Sequence, residues 1–303
     1  MVRIFGTFIY VGLFVANSVV FAAQVKSGSQ IEMWVRKSGD YTDGHFGHDT
    51  PKKLISLEEV ASKTSVQRFD LQYGKKVTYR GVSLNQLVAD FKDLPSTANL
   101  LLLHFDNGMT VPLPVADLNT VDAFVARQIQ IQKKWVSDFP DLPKDKEFKD
   151  PRPLKFAGNK LVVSKSWHPT VNPHERGEFT PWVYVSSLTG IEFVNETAYF
   201  NQFLVATDPL SEAGLGVFKQ RCQYCHGARH VGASYGWDFV DPLPVYKQKN
   251  PENIFLHVKY PKFDAIKRGL MMPAQTSISK KEAEVLWGWM KGLAELKMKP
   301  YLP

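Results

Sequence analysis

The chain has 303 residues, a net charge of +7 from 37 Lys and Arg against 30 Asp and Glu, and 44% hydrophobic with 13% aromatic residues. That is enough apolar material for real cores, and the length bounds the answer at one large domain or two ordinary ones, of which two is the better fit. Only two cysteines are present, which excludes a fold stapled by a disulfide framework.

The amino terminus reads MVRIFGTFIYVGLFVANSVVFAAQ, with Arg3 as a short positive region, an apolar run from Ile4, and small residues at Ala22 and Ala23. This pattern predicts a signal peptide over residues 1–23 and export to the periplasm. The run is also long enough to span a bilayer, so a membrane tether is expected if it stays uncleaved. No later segment is apolar enough to cross a membrane.

From Ser27 to Phe203 the pattern is one of strands separated by short helices. KKVTYRGVSLNQLVADF predicts a strand through Tyr79, then a helix capped by Ser83, with Gln86 three places on and Leu84, Leu87 and Val88 as its apolar face. ANLLLLHFDNGMTVPLPVADL predicts two strands around a turn at Asp106-Asn107-Gly108, and TPWVYVSSLTGIEFV again reads as two strands around a turn. The Pro- and charge-rich stretch between Lys133 and Lys160 reads as a long surface loop. Together these signals predict an α+β domain over residues 27–203. Of its histidines, His45 and His48 form H-x-x-H in a polar loop, and His104 reads as a satisfied core histidine in an apolar strand. His168 and His174, with Arg176, are candidates for an anion pocket.

The motifs VTYRGVSLNQLV, DNGMTVPLPVADL and PWVYVSSLTGIEF, in that order, resemble the molybdopterin-binding domain of the sulfite oxidase family. In that family a cysteine thiolate binds molybdenum. This region contains no cysteine, so thiolate-ligated molybdenum is not expected and molybdopterin is disfavoured as a cofactor.

Residues 205–303 form the second expected domain. Residues 211–303 alone carry 14 Lys and Arg against 8 Asp and Glu. Ser211 is expected to cap a short helix that carries the segment RCQYCHGARH at its end. The order Cys222-x-x-Cys225-His226 fits three chemistries: a dithiol switch, a zinc half-site, or covalent attachment of haem. The dithiol reading leaves His226 unexplained, and adjacent Cys225 and His226 rarely both face one small tetrahedral ion. Haem c uses all three: two thiols about one helical turn apart for the vinyl groups, and an imidazole directly beyond them for the iron. Downstream, Met272 precedes Pro273 and is pushed toward extended backbone, which suits a loop presenting a thioether to the opposite face; Met271 is its rival. Ser279 and Glu282 form a capping box ahead of a helix whose Ala283, Leu286, Met290 and Leu293 recur at helical spacing. That helix is expected to pack against the first.

With these residues in place, 205–303 resembles a class I c-type cytochrome domain, small and all-α. The resemblance implies one covalent haem on Cys222 and Cys225, with His226 proximal and Met272 distal. It also implies a proline carbonyl holding the imidazole, for which Pro242 or Pro244 is available. Arg229, Tyr235 and Trp237 are candidate donors to the propionates, while His230 and His257 read as ordinary surface or packing histidines. Met290 reads as core and Met298 as tail.

A haem with both axial positions filled is limited to one-electron transfer. The sequence therefore favours an exported electron carrier over a catalyst, with the N-terminal domain as a docking or regulatory module, and leaves enzymatic activity open. The expected partners are redox proteins, acidic where Lys259, Lys262, Lys267, Lys280 and Lys281 meet them; no nucleic acid partner is expected. Two alternatives stay open: a molybdopterin-type oxidoreductase with a haem relay, and a haem-based sensor in which a small gas displaces Met272.

Overall fold

The computed structural model describes residues 30–36, 53–58, 64–92, 94–142, 156, 158–163, 181–203, 209–261 and 272–296. The signal segment, His45, His48, His168, His174, Arg176, Lys262, Lys267, Met271 and Met298 lie outside them.

The first sheet is built from β1 (Gln30–Val35), β2 (Lys53–Ser56), β5 (Leu100–Phe105), β6 (Thr110–Pro114) and β10 (Leu188–Val194), in the order β2-β1-β10-β5-β6. Only β1 and β10 run parallel. The second sheet is built from β3 (Thr64–Asp70), β4 (Lys75–Ser83), β7 (Phe124–Ile131) and β8 (Lys134–Val136), with β9 (Lys160–Val162) also pairing β7. After β4, α1 (Leu84–Ala89) is capped as expected: the Gln86 amide donates to Ser83 Oγ at 3.1 Å, and Leu84, Leu87 and Val88 are buried. A short α2 (Leu118–Val121) follows β6. Two details differ from expectation. Lys134–Val136 is a strand on the second sheet, not loop. The TPWVYVSSLTGIEFV stretch supplies one strand, β10, after a 3-10 turn at Pro181–Val183, because the intervening residues bond to the β5–β6 turn: the Asp106 amide donates to the Ser187 carbonyl at 2.9 Å, and Asn107 Nδ2 to that of Tyr184 at 2.9 Å.

The chain then continues through α3 (Glu196–Asn201), α4 (Pro209–Val217), a π-helical turn (Phe218–Cys222), β11 (Gly227–Ala228), β12 (Val231–Gly232), α5 (Val245–Gln248), α6 (Pro251–Lys259) and α7 (Lys280–Glu295). Here the expected small all-α domain is corrected. The described chain is a mixed α/β structure, and its C-terminal part includes an antiparallel two-stranded hairpin directly after the cysteine motif. The hairpin exists because Arg229 and His230 both adopt left-handed backbone, φ 56° and 63°, the geometry of a two-residue turn whose twist matches paired strands. Asp238 holds them there, accepting from both amides at 3.0 and 2.8 Å.

The C-terminal helices also do not close a core by themselves. Leu215, Phe218, Leu286, Trp289, Met290 and Leu293 form one buried cluster with Leu100 and Leu102 of β5 and Val194 of β10. One face of the first sheet thus supplies part of the floor on which the helices pack. The helix α4 begins at Pro209, so Ser211 lies inside its first turn and is buried instead of capping it; proline is favoured at a first helical position. The final helix is as expected: the Ser279–Glu282 capping box is complete, and Ala283, Leu286, Met290 and Leu293 are buried, along with Trp289. Among the described residues no helix is long and apolar enough to cross a membrane.

Candidate functional site

The segment Cys222 to His226 lies where the two main cores meet. Tyr224 and Cys225 belong to the core of the first sheet, whereas Cys222 packs against the aromatic cluster of the helices. A turn bonded from the Cys225 and His226 amides to the Cys222 carbonyl, at 3.1 and 2.9 Å, brings the cysteines and the histidine close in space. The thiols are free, with no disulfide between them. Burial pushes the Cys222 thiol up to about 12 and outweighs the pull of Arg221; burial, with the neighbouring Cys222, pushes Cys225 up to about 12. A dithiol switch works through a thiolate of lowered pKa, and these thiols have the opposite environment.

His226 is the most constrained side chain of the motif. Its ring stacks on Phe239, centroids 4.8 Å apart and 28° between planes. Gly236 lies against it so closely that a Cβ there would stand 2.4 Å from Cε1 and 2.8 Å from Nε2. Nδ1 is 2.7 Å from the Trp237 carbonyl oxygen. A carbonyl only accepts, so Nδ1 carries the proton and Nε2 the lone pair of the neutral ring. Burial also lowers the imidazole pKa, against the Trp237 carbonyl and Asp238, which raise it. A neutral ring with one nitrogen engaged by a backbone carbonyl is the form in which histidine ligates metals. The carbonyl expected from Pro242 or Pro244 is supplied by Trp237.

Local chemistry explains how Gly236 and Trp237 come to be there. The Gly236 amide donates to the Cys225 carbonyl at 2.6 Å, and the Phe239 amide to that of Gly227 at 3.0 Å. Asp238, between them, turns the chain back: besides the hairpin amides, its Oδ1 accepts from Val240 and Asp241 at 2.7 and 3.0 Å. Phe239 continues into an aromatic stack with Phe218 and Trp289, at 5.8 and 6.4 Å.

Met272 is half-buried and packs against this same cluster, so both expected axial residues adjoin one aromatic core. Its loop is anchored: Pro273 is buried, and the Gln275 amide donates to the Val258 carbonyl of α6 at 3.0 Å. Arg221, immediately before the motif, ties the two segments together. Its guanidinium donates twice to Glu282 Oε1, at 3.1 and 2.9 Å, and once to Ser277 Oγ at 2.9 Å.

The other candidates fall elsewhere. His230 is exposed on the hairpin turn, 3.7 Å from an Asp241 carboxylate oxygen. Arg229 shares that turn, Tyr235 is half-buried and Trp237 is 68% exposed. His257 is half-buried on α6, Lys259 lies at its end, and Lys280 and Lys281 are exposed at the start of α7. His104 is a satisfied histidine: Nε2 bonds Glu192 at 2.9 Å and Nδ1 the Thr110 hydroxyl at 3.3 Å, with Trp34 stacked on the ring. Sequence reading missed Gly236, Asp238 and Phe239. Their signal was the run G-W-D-F, in which a glycine precedes an Asx-type turn residue and an aromatic. Among the described residues no group of three or more His, Cys, Asp or Glu side chains is placed to hold a metal ion.

No family model matches the chain, and no curated protein matches it.

Proposed function

We propose that this protein is an exported monohaem c-type cytochrome whose task is one-electron transfer. The observation that carries this reading is the state of His226, held by the Trp237 carbonyl through Nδ1, with Phe239 stacked on its ring and Gly236 close against it, which leaves Nε2 as the donor nitrogen immediately after Cys-x-x-Cys. In this reading Cys222 and Cys225 form the thioether bonds, and His226 and Met272 are the axial ligands. When bound, the haem supplies a single iron that cycles between ferric and ferrous forms. The chain's own residues hold the imidazole neutral and oriented, keep Met272 on an anchored loop, and place both against one apolar aromatic cluster.

The donor set fits haem better than its rivals. Asp238 spends both carboxylate oxygens on backbone amides, so it is not offered to a zinc ion. Export to the periplasm, where covalent haem attachment belongs, is part of the same proposal, as are redox-protein partners with an acidic docking face. The test is expression with a haem-attachment system, followed by denaturation and extraction of non-covalent haem. Haem that stays with the wild-type chain, and is lost from a Cys222→Ser, Cys225→Ser double variant, supports the reading. A chain that carries no haem under those conditions overturns it.

A further inference from the structure

The carbonyl that orients His226 belongs to a segment held from outside the C-terminal part. The amides of Ser234 and Tyr235 both donate to the Gly108 carbonyl, at 2.8 and 3.1 Å, and the Thr110 amide donates to the Tyr224 carbonyl at 3.1 Å. Gly108 lies in the turn between β5 and β6 of the first sheet, and Thr110 is the first residue of β6. Gly108 has φ +84°, and a Cβ on it would stand 2.8 Å from Ser234 Oγ and 3.0 Å from the Tyr235 nitrogen. Left-handed backbone and close approach therefore both require glycine here. The turn is itself fixed on its other side. Asn107 Nδ2 donates to the Tyr184 carbonyl, its Oδ1 accepts from the Met109 amide at 3.2 Å, and its own amide donates to Ser186 Oγ at 2.9 Å.

A continuous backbone path thus runs from residues 184–187 through the β5–β6 turn and residues 234–237 to the Nδ1 proton of His226. We propose that the β5–β6 turn is a positioning element for His226, with Gly108 setting the place of the Trp237 carbonyl and Asn107 anchoring the turn, so that the N-terminal sheet helps to set the reduction potential of the haem. This rests on the haem reading above. The physical basis is that a hydrogen bond accepted from Nδ1–H makes the imidazole a stronger donor, and outer hydrogen bonds to axial ligands are one of the levers by which a protein tunes haem iron. A stronger donor favours ferric iron. Lengthening the His226–Trp237 bond weakens the donor and raises the potential.

The experiment compares the midpoint potentials of the full-length haem-bearing protein and three variants by spectroelectrochemistry, with hydrogen exchange at the Gly236 amide as a second readout. Gly108→Ala is expected to keep its haem covalently attached, to show a higher potential, and to lose protection at Gly236. Asn107→Ala is expected to shift the potential in the same direction by less. Gly74→Ala is the control: it imposes an alanine at φ +65° with nothing within 4 Å of the new Cβ, and is expected to leave the potential at the wild-type value. Wild-type potentials in both turn variants would overturn the proposal, as would a Gly74→Ala shift as large as that of Gly108→Ala. If Gly108→Ala does not fold, Asn107→Ala decides. Wild-type protein without covalent haem overturns the cytochrome reading and this one together, whereas a haem-bearing protein with unmoved potentials overturns only the positioning role.

Discussion

Gly236 is the residue whose replacement has the sharpest consequence, because the space a side chain would need is the imidazole of His226. Overpacking of this kind costs about 1–3 kcal/mol, but the functional effect is larger than the stability effect, since the displaced group is the proposed iron ligand. Gly236→Ala is expected to retain thioether-bound haem while losing the optical spectrum of a histidine–methionine site, which absorption spectroscopy reads directly. Asp238 acts on the same ring from further out. It accepts hydrogen bonds from four backbone amides, those of Arg229, His230, Val240 and Asp241, and hydrogen bonds to a charged group contribute about 1.5–3 kcal/mol. Asp238→Ala is therefore expected to lower the urea midpoint and to loosen the hairpin and the Trp237 carbonyl together. Neither residue was visible in the sequence as part of the site. Cys222, Cys225, His226 and Met272 were legible as candidates, because their types and spacing suggest a chemistry by themselves, whereas a glycine or an aspartate acquires its role only from what the fold brings near it.

Among the elements, α7 was the most legible. Its capping box and its apolar repeat both lie within one short window, and the structure places Ser279, Glu282, Leu286 and Met290 as that window predicts. Trp289 joins them on the buried face, its indole donating to the Phe203 carbonyl at 2.7 Å. Trp289→Ala is expected to cost about 3–5 kcal/mol of stability, against about 1 kcal/mol for Ser279→Ala, measured by denaturant unfolding of the full chain. The hairpin formed by β11 and β12 was not legible. Its strands are two residues each, and its turn residues, Arg229 and His230, are not the Asn-Gly or Asp-Gly that announce such turns. Left-handed backbone at those positions is stabilised by Asp238, eight and nine residues away, so a local window could not contain the cause. The single strand in place of two after Pro181 has the same explanation: Ser186, Ser187 and Tyr184 bond to the β5–β6 turn, about 80 residues earlier in the chain.

At the scale of the whole molecule, the first sheet and the C-terminal helices share a core through Leu100, Leu102 and Val194, and the Thr110 amide at the start of β6 donates to the Tyr224 carbonyl within the cysteine motif. The expectation of a small all-α domain over residues 205–303 did not foresee this sharing: the apolar face of β5 reads as the interior of its own sheet, and nothing local reveals that half of it packs against helices from beyond residue 200. Buried ionic groups add a pH dependence to this assembly. Burial alone would raise the Asp70 carboxyl, but Lys160 at 2.9 Å and hydrogen bonds from Lys160, Tyr79 and Tyr73 hold it below its ordinary value of 3.8. Burial would likewise raise Glu192, and His104 and Arg36 hold it below 4.5. Groups whose folded pKa is depressed contribute stability that is present above the unfolded value and lost as pH falls through the folded one. Stability is therefore expected to fall steeply below about pH 4, a drop that urea titrations at a series of pH values would record. Asp70→Ala leaves Lys160 buried without its counter-ion and is expected to cost about 3–5 kcal/mol at neutral pH.

The central claim is that Cys222, Cys225 and His226 hold a haem c. Mass spectrometry of the denatured, solvent-extracted protein, produced alongside a haem-attachment system, tests it most directly. The mass of the mature chain plus one haem, falling to the bare chain in the Cys222→Ser, Cys225→Ser variant, is the predicted result. A bare wild-type chain, or haem that extracts freely from it, would contradict the account.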